Sequence, residues 1–215
     1  MQKKIHLITL SLILIGGIWM TRCVSPYYGT ARIEPGWQLD TGLGLHTTLI
    51  PVLDGGDPVY GVGIRCDGEI GYGLDKYVKP YARAALGLNT AYIGYADIGL
   101  GLQVALPVWI FTPAVKLEIN STWIQPTFSP VVLLGIGKSE WVTLGAKTYF
   151  FPFADSNYPR FLDVFTTVHI SPRWSIFAGA EINSFIDTFE DGNGYPFFTV
   201  GAGYKFPPFR GKTRI

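Results

Sequence analysis

The feature that most constrains this chain is an alternation of period two that recurs after residue 36, with aliphatic side chains on one side and glycine with isolated charges on the other. It is clearest near the end, where Phe198, Val200, Ala202, Tyr204 and Phe206 alternate with Thr199, Gly201, Gly203 and Lys205. Successive side chains of a β-strand point to opposite faces, so this spacing predicts strands. The same pattern runs through 39–46, 60–65, 81–88, 97–104, 115–120, 142–150, 161–170 and 174–183. Between Gln125 and Gly137 it is blurred by Pro126 and Pro130.

Alternation also suits a soluble sandwich or a lipocalin-like periplasmic binder, whose aliphatic face points inward and whose other face meets water. The second face decides. A water-facing surface needs many Lys, Glu, Gln and Ser residues, whereas only 15% of this chain is charged and 26 of its 215 residues are glycine. Small residues and single charges suit a narrow lumen, and the aliphatic face suits hydrocarbon. The predicted fold is therefore all-β, a transmembrane up-and-down antiparallel β-barrel. Spreading the 193 residues after position 22 over ten strands leaves about 19 for each strand and its connection, and 9 to 11 residues cross a bilayer when tilted. Ten strands are expected, with eight and twelve as alternatives. The ambiguous stretch is Glu69 to Leu88, whose side-chain phase continues across Asp75–Tyr77. Trp37, Trp109, Trp123, Trp141, Phe150, Phe151, Trp174 and Phe206 read as interfacial girdles. Turn signals fall at 54–58, Asp67-Gly68, 137–139, 156–157, Ser171-Pro172 and 190–194.

Lys3 and Lys4 precede the apolar run Ile5–Met20, the order of charge and grease found in a secretory signal peptide. Residues 1–22 are therefore expected to be removed on export. Cys23 stands where a bacterial lipoprotein is cut and acylated, and Met20–Cys23 resembles a lipobox, with Arg22 where that motif carries a small residue. Losing Lys3, Lys4 and Arg22 from 17 basic residues leaves 14 against 16 acidic ones, so the remainder is near neutral. The sequence leaves two fates open for Cys23, acylation or a disulfide to Cys66 in an oxidising compartment. The expected organisation is a periplasmic N-terminal segment over 23–35, the barrel over 36–206 and a tail over 207–215.

Phe198–Phe206 resembles the closing β-signal of bacterial outer-membrane proteins, followed here by a proline-bearing tail. Cys23–Trp37 and Gly94–Gly101 are similar to the first segment and second hairpin of small outer-membrane barrel lipoproteins of uncharacterised families. The resemblance implies an outer-membrane location, outer-membrane lipids as surroundings and contact with the barrel-assembly machinery through 198–206. It implies no active site.

The phase of the alternation turns Asp40, Arg65, Glu69, Arg83, Asp97, Lys116, Glu118, Lys147, Asp163, Glu181 and Lys205 toward the axis. Both signs are interleaved, as in a lumenal network of ion pairs, because a charge in so narrow a space is costly unless paired. A selective passage in which Arg83, Lys116 and Lys147 attract anions is the competing reading; wide aqueous channels belong to barrels of about 16 strands. An enzymatic alternative rests on His169, Ser171 and Glu181, which faintly resemble the His-x-Ser plus Glu arrangement of outer-membrane lipid A deacylases. The scattered histidines and two cysteines suggest no metal site and no cofactor. A net charge of +1 gives no electrostatic case for nucleic acid. Glycine pairs inside predicted strands lack the following helix of a phosphate cradle, and Asn120-Ser-Thr122 is a chance glycosylation sequon in such a protein.

Overall fold

The computed structural model describes residues 27–50, 59–90, 94–122, 125–150, 162–182 and 197–207. The signal-peptide stretch, Cys23, Trp123, Phe151, the turn signals at 54–58, 156–157 and 190–194, and the tail from 208 lie outside the described residues. Ten antiparallel strands form the wall: β1 (Gly36–Ile50), β2 (Val59–Gly73), β3 (Val78–Asn89), β4 (Gly94–Ala105), β5 (Phe111–Thr122), β6 (Gln125–Ile136), β7 (Val142–Thr148), β8 (Leu162–His169), β9 (Trp174–Glu181) and β10 (Phe198–Lys205). Each pairs with its sequence neighbours, and β10 returns to β1 to close an up-and-down barrel. Ten was the expected count.

The blurred stretches resolve for identifiable reasons. Between β2 and β3 the chain turns over residues 74–77, where the Asp75 carboxylate accepts the Tyr77 and Val78 N–H groups at 2.6 and 2.9 Å. Four connecting residues preserve the parity, so Gly71 and Lys79 both face inward and the phase never breaks. In β6 the N–H of Phe128 points toward Phe150, and Pro126 and Pro130 share that parity. The β6–β7 register ends at Val131↔Lys147. Both prolines thus stand where no regular ladder asks for a donor. Asp67-Gly68, read as a turn signal, instead lies within β2 opposite Thr41 and Gly42, and Asp67 is buried.

The wall is inverted relative to a soluble protein. Leu43, Ile64, Leu86, Ile98, Leu100, Ile119 and Val132 face outward, Leu100 with 65% of its surface exposed. The buried residues include Asp67, Lys79, Gln103, Lys116, Glu118 and Lys147. This is the opposite of the lipocalin-like alternative, whose aliphatic side chains would fill the interior. The two rims also differ. At the terminal rim, where β1 begins and β10 ends, the turns are short, at 74–77, 106–110, 137–141 and 170–173. There Trp37, Trp109, Trp141 and Trp174 are exposed. The distal connections include the longer 149–161 and 182–197.

Candidate functional site: a filled lumen

The inward parity of the strands stacks ionic side chains across the lumen. Glu69 on β2 accepts Lys79 Nζ at 3.0 Å and Lys116 Nζ at 2.5 Å, the latter reaching across from β5. The Lys116 ammonium also lies 3.9 Å from the Tyr81 ring centroid and 4.4 Å from that of Tyr27, close enough for cation–π attraction. Glu118 accepts Lys147 Nζ at 3.0 Å and the Tyr81 hydroxyl at 3.1 Å, with Arg83 Nη1 at 4.0 Å. Asp67 accepts Arg65 Nε at 2.8 Å and Arg83 Nη2 at 2.5 Å, and Asp97 stands 3.7 Å from Arg65. A buried ion without a partner is expensive, and here each wall cation of this layer meets at least one carboxylate. Lys116 and Glu118, at its centre, are each only 2% exposed.

The remaining inward residues lie around this layer. Asp40 is buried nearer the terminal rim, and its Oδ1 has no hydrogen-bond partner among the described residues. Asp163, buried opposite Glu181, accepts the Tyr149 hydroxyl at 2.6 Å. Lys205 reaches Glu34 at 3.0 Å. Asn120, of the sequon, is buried and donates to Ser129 Oγ at 3.2 Å.

A second layer comes from outside the wall. Residues 27–33, part of the expected periplasmic N-terminal segment 23–35, enter the terminal mouth of the barrel, where Tyr27, Tyr28, Ala31 and Ile33 are buried with Phe165 and Phe177. Period-two reasoning has nothing to say about a segment that is not a strand. Its backbone polar groups are satisfied by the wall: Thr167 Oγ1 donates to Tyr27 O at 2.6 Å, Ser175 Oγ to Tyr28 O at 3.3 Å, and Gln103 Nε2 to Ala31 O at 2.8 Å. Glu140, in the turn before β7, grips the segment from the rim. Its two oxygens accept the Ala31 N–H at 2.5 Å and the Arg32 N–H at 2.7 Å, and Thr143 Oγ1 donates to it at 2.7 Å. Burial pushes the Glu140 carboxyl above its ordinary range despite those donors. Glu140 sits at φ +52°, an uncommon backbone for a non-glycine residue.

The inward glycines are the complement of these large groups. A Cβ on Gly42, Gly201 or Gly203 would run into Tyr28, one on Gly101 into Tyr81, and one on Gly145 into Phe165. Between Tyr27, Tyr28, Asp40, Glu69 and Arg83 there remains a cavity of about 20 Å³, room for a guest the size of a water molecule.

The hydrolase constellation does not assemble. His169 Nε2 lies 2.9 Å from Thr143 Oγ1, while Ser171 Oγ accepts the Arg173 and Trp174 N–H groups within its turn. His169 pairs with Ser175 and Glu181 with Asp163, which puts His169 and Glu181 six rungs apart, about 20 Å along the strands. No group of His, Cys, Asp and Glu among the described residues could hold a metal ion. Cys66 is a free thiol on the outer face of β2.

The residues missed by sequence reading divide by cause. Asp67 and Lys79 share the inward parity of Arg65, Glu69 and Tyr81, so parity alone could have found them. Tyr27, Tyr28 and Glu140 belong to no strand, and no periodic signal marks them.

Closure, outward aliphatic surface and polar interior together define a ten-stranded barrel of the transmembrane type. Among solved structures, the chain is similar to a de novo designed transmembrane β-barrel at 13% identity and TM-score 0.37, covering 81% of this chain and 99% of that one. It is similar to the KdgM porin in complex with disordered oligogalacturonate at 10% identity and TM-score 0.41, covering 79% and 99%. A third is Ail, the attachment invasion locus protein of Yersinia pestis, at 11% identity and TM-score 0.31, covering 80% and 100%. Likeness at this level assigns neither family nor activity. No protein-family model and no curated protein matches the chain.

Proposed function

We propose that the chain is an exported bacterial outer-membrane barrel with a structural role in the envelope, its lumen closed by its own side chains rather than open to solute. The observation that carries this reading is the burial of the central charges. A conducting path would bathe Lys116 and Glu118 in water, whereas each is only 2% exposed and paired. The outward aliphatic side chains and the rim of exposed tryptophans supply a surface suited to outer-membrane lipids. Short turns throughout the terminal rim, with the long connections 149–161 and 182–197 at the opposite one, match the periplasmic and extracellular ends of such barrels. The Lys3–Met20 pattern supports export, the 198–206 strand supports delivery by the barrel-assembly machinery, and Cys23 is the proposed site of acylation. Cys23 stands only four positions before Tyr27, a span of at most about 14 Å when extended, so the lipid would sit beside the periplasmic mouth.

The test is to purify the protein from outer-membrane fractions, confirm heat-modifiable migration, and record currents across planar bilayers. The expected result is a folded, heat-modifiable protein that inserts without steady conductance steps. Reproducible ion conductance by the wild type would overturn the closed-lumen reading, and recovery as a detergent-free soluble protein would overturn the location.

A further inference from the structure

The seam where β10 meets β1 closes the barrel with one of its shorter pairings. It carries seven paired positions, from Asp40↔Lys205 to His46↔Thr199, whereas β1 and β2 are paired along fifteen, from Gly36↔Gly73 to Ile50↔Val59. Cross-strand side-chain pairs are the unit of sheet stabilisation. On the inner face of the seam two consecutive pairs are Gly42↔Gly203 and Gly44↔Gly201, which have no side chains to offer.

The Tyr28 ring occupies this gap. A Cβ on Gly203 would lie 2.5 Å from Tyr28 Cβ, one on Gly44 3.1 Å from the Tyr28 hydroxyl, and Gly42 and Gly201 are approached more closely still. One ring therefore lies against both strands of the seam. It also meets Phe177 of β9 edge-on, with centroids 5.8 Å apart. The Tyr28 carbonyl is fixed by Ser175 of β9, and Glu34 of the same segment pairs with Lys205 at the end of β10. The residues that hold 27–33 in place from the other side are Gln103 and Glu140.

We propose that the N-terminal segment is an internal clamp on the β1–β10 seam, with Tyr28 as its jaw. The two glycine pairs leave the middle of the seam, between Asp40↔Lys205 and His46↔Thr199, without inner side chains, and the ring supplies the missing cross-strand contact as the two strands meet. Closing the barrel and seating the segment are then one coupled event. Tyr28 is a positioning residue for the wall rather than part of any binding site.

The experiment is hydrogen–deuterium exchange on the full-length protein in lipid nanodiscs, comparing Tyr28→Ala with Tyr81→Ala. Both variants delete a buried lumenal tyrosine that fills a glycine gap, but Tyr81 lies against Gly101 of β4, away from the seam. Tyr28→Ala is expected to speed exchange about tenfold or more in peptides covering 40–46 and 199–205, with peptides from β4 and β5 unchanged. Tyr81→Ala is expected to do the reverse. Unchanged seam exchange in Tyr28→Ala, or equal acceleration around the whole barrel, would overturn the clamp. If Tyr28→Ala does not assemble, Tyr28→Leu is put through the same comparison, where seam-specific acceleration supports the clamp and its absence overturns it.

Discussion

The centre of the lumen and its terminal mouth fill the same polar cylinder by different means. In the centre the wall fills itself: Glu69, Lys79, Lys116, Glu118 and Lys147 project from alternating positions and neutralise one another across strands. At the mouth the filling is a length of backbone, which brings amide and carbonyl groups that need partners of their own. The wall answers with hydroxyl, amide and carboxylate side chains from Thr167, Ser175, Gln103 and Glu140, and with glycines that make room. A side-chain network can thus be written into a strand pattern, while a threaded segment requires residues whose purpose is visible only in three dimensions.

The largest expected effect tests the self-filled centre. Glu69→Ala leaves Lys79 and Lys116 buried without the carboxylate they share, a loss of about 3–5 kcal/mol by analogy with broken buried pairs. Urea unfolding in micelles should show it as a lowered midpoint. Adding Lys116→Met should recover part of the loss, because a well-packed apolar side chain costs less there than an unpaired ammonium. A Glu69→Ala midpoint equal to wild type would mean that water, not pairing, supports those lysines.

The next effect tests the mouth. Gly42→Ala inserts a methyl group into the space of the Tyr28 ring and should cost about 1–3 kcal/mol, the usual range for overpacking. In a Tyr28→Ala background the same substitution should cost almost nothing, since the obstacle is gone. Equal costs in both backgrounds would show that the glycine is required for the strand itself.

How far the sequence disclosed this arrangement follows from the same contrast. The strand count follows from chain length, and the outward aliphatic face and the inward parity of Arg65, Glu69, Arg83, Lys116 and Lys147 follow from period two, since parity survives the even-numbered turn at 74–77. Asp67 was hidden because Asp-Gly is a frequent turn dipeptide; here the glycine merely occupies an outward position opposite Thr41. Tyr28 and its glycine slot were hidden differently. Gly42, Gly201 and Gly203 advertise empty space, but what fills that space sits in a stretch with no periodicity, more than a dozen residues before Gly42 and about 170 before Gly201. Glu140 looks like an ordinary turn residue until the backbone of Ala31 and Arg32 is placed beside it.

The smallest expected effect concerns that carboxylate and separates the mouth from the centre by pH. Burial holds the Glu140 proton more tightly in the folded barrel than in the unfolded chain, where a glutamate titrates near pH ~4.3. The sign follows from linkage. The folded form binds the extra proton, so the Glu140 contribution is greatest below about pH 4.3 and declines as pH rises through the higher folded value, with a slope of at most about 1.4 kcal/mol per pH unit. The charged or titratable groups that act on it are Arg32, Lys79, Tyr27 and, through Thr143, His169. Glu140→Gln cannot titrate, so the wild-type midpoint minus that of Glu140→Gln should fall as pH rises through this window and then level off. The central ion pairs are common to both proteins and cancel in the difference. A flat difference curve would mean that the folded barrel holds the Glu140 proton no more tightly than the unfolded chain, and a curve that rises with pH would mean that the Ala31 and Arg32 amides keep it ionised in the fold.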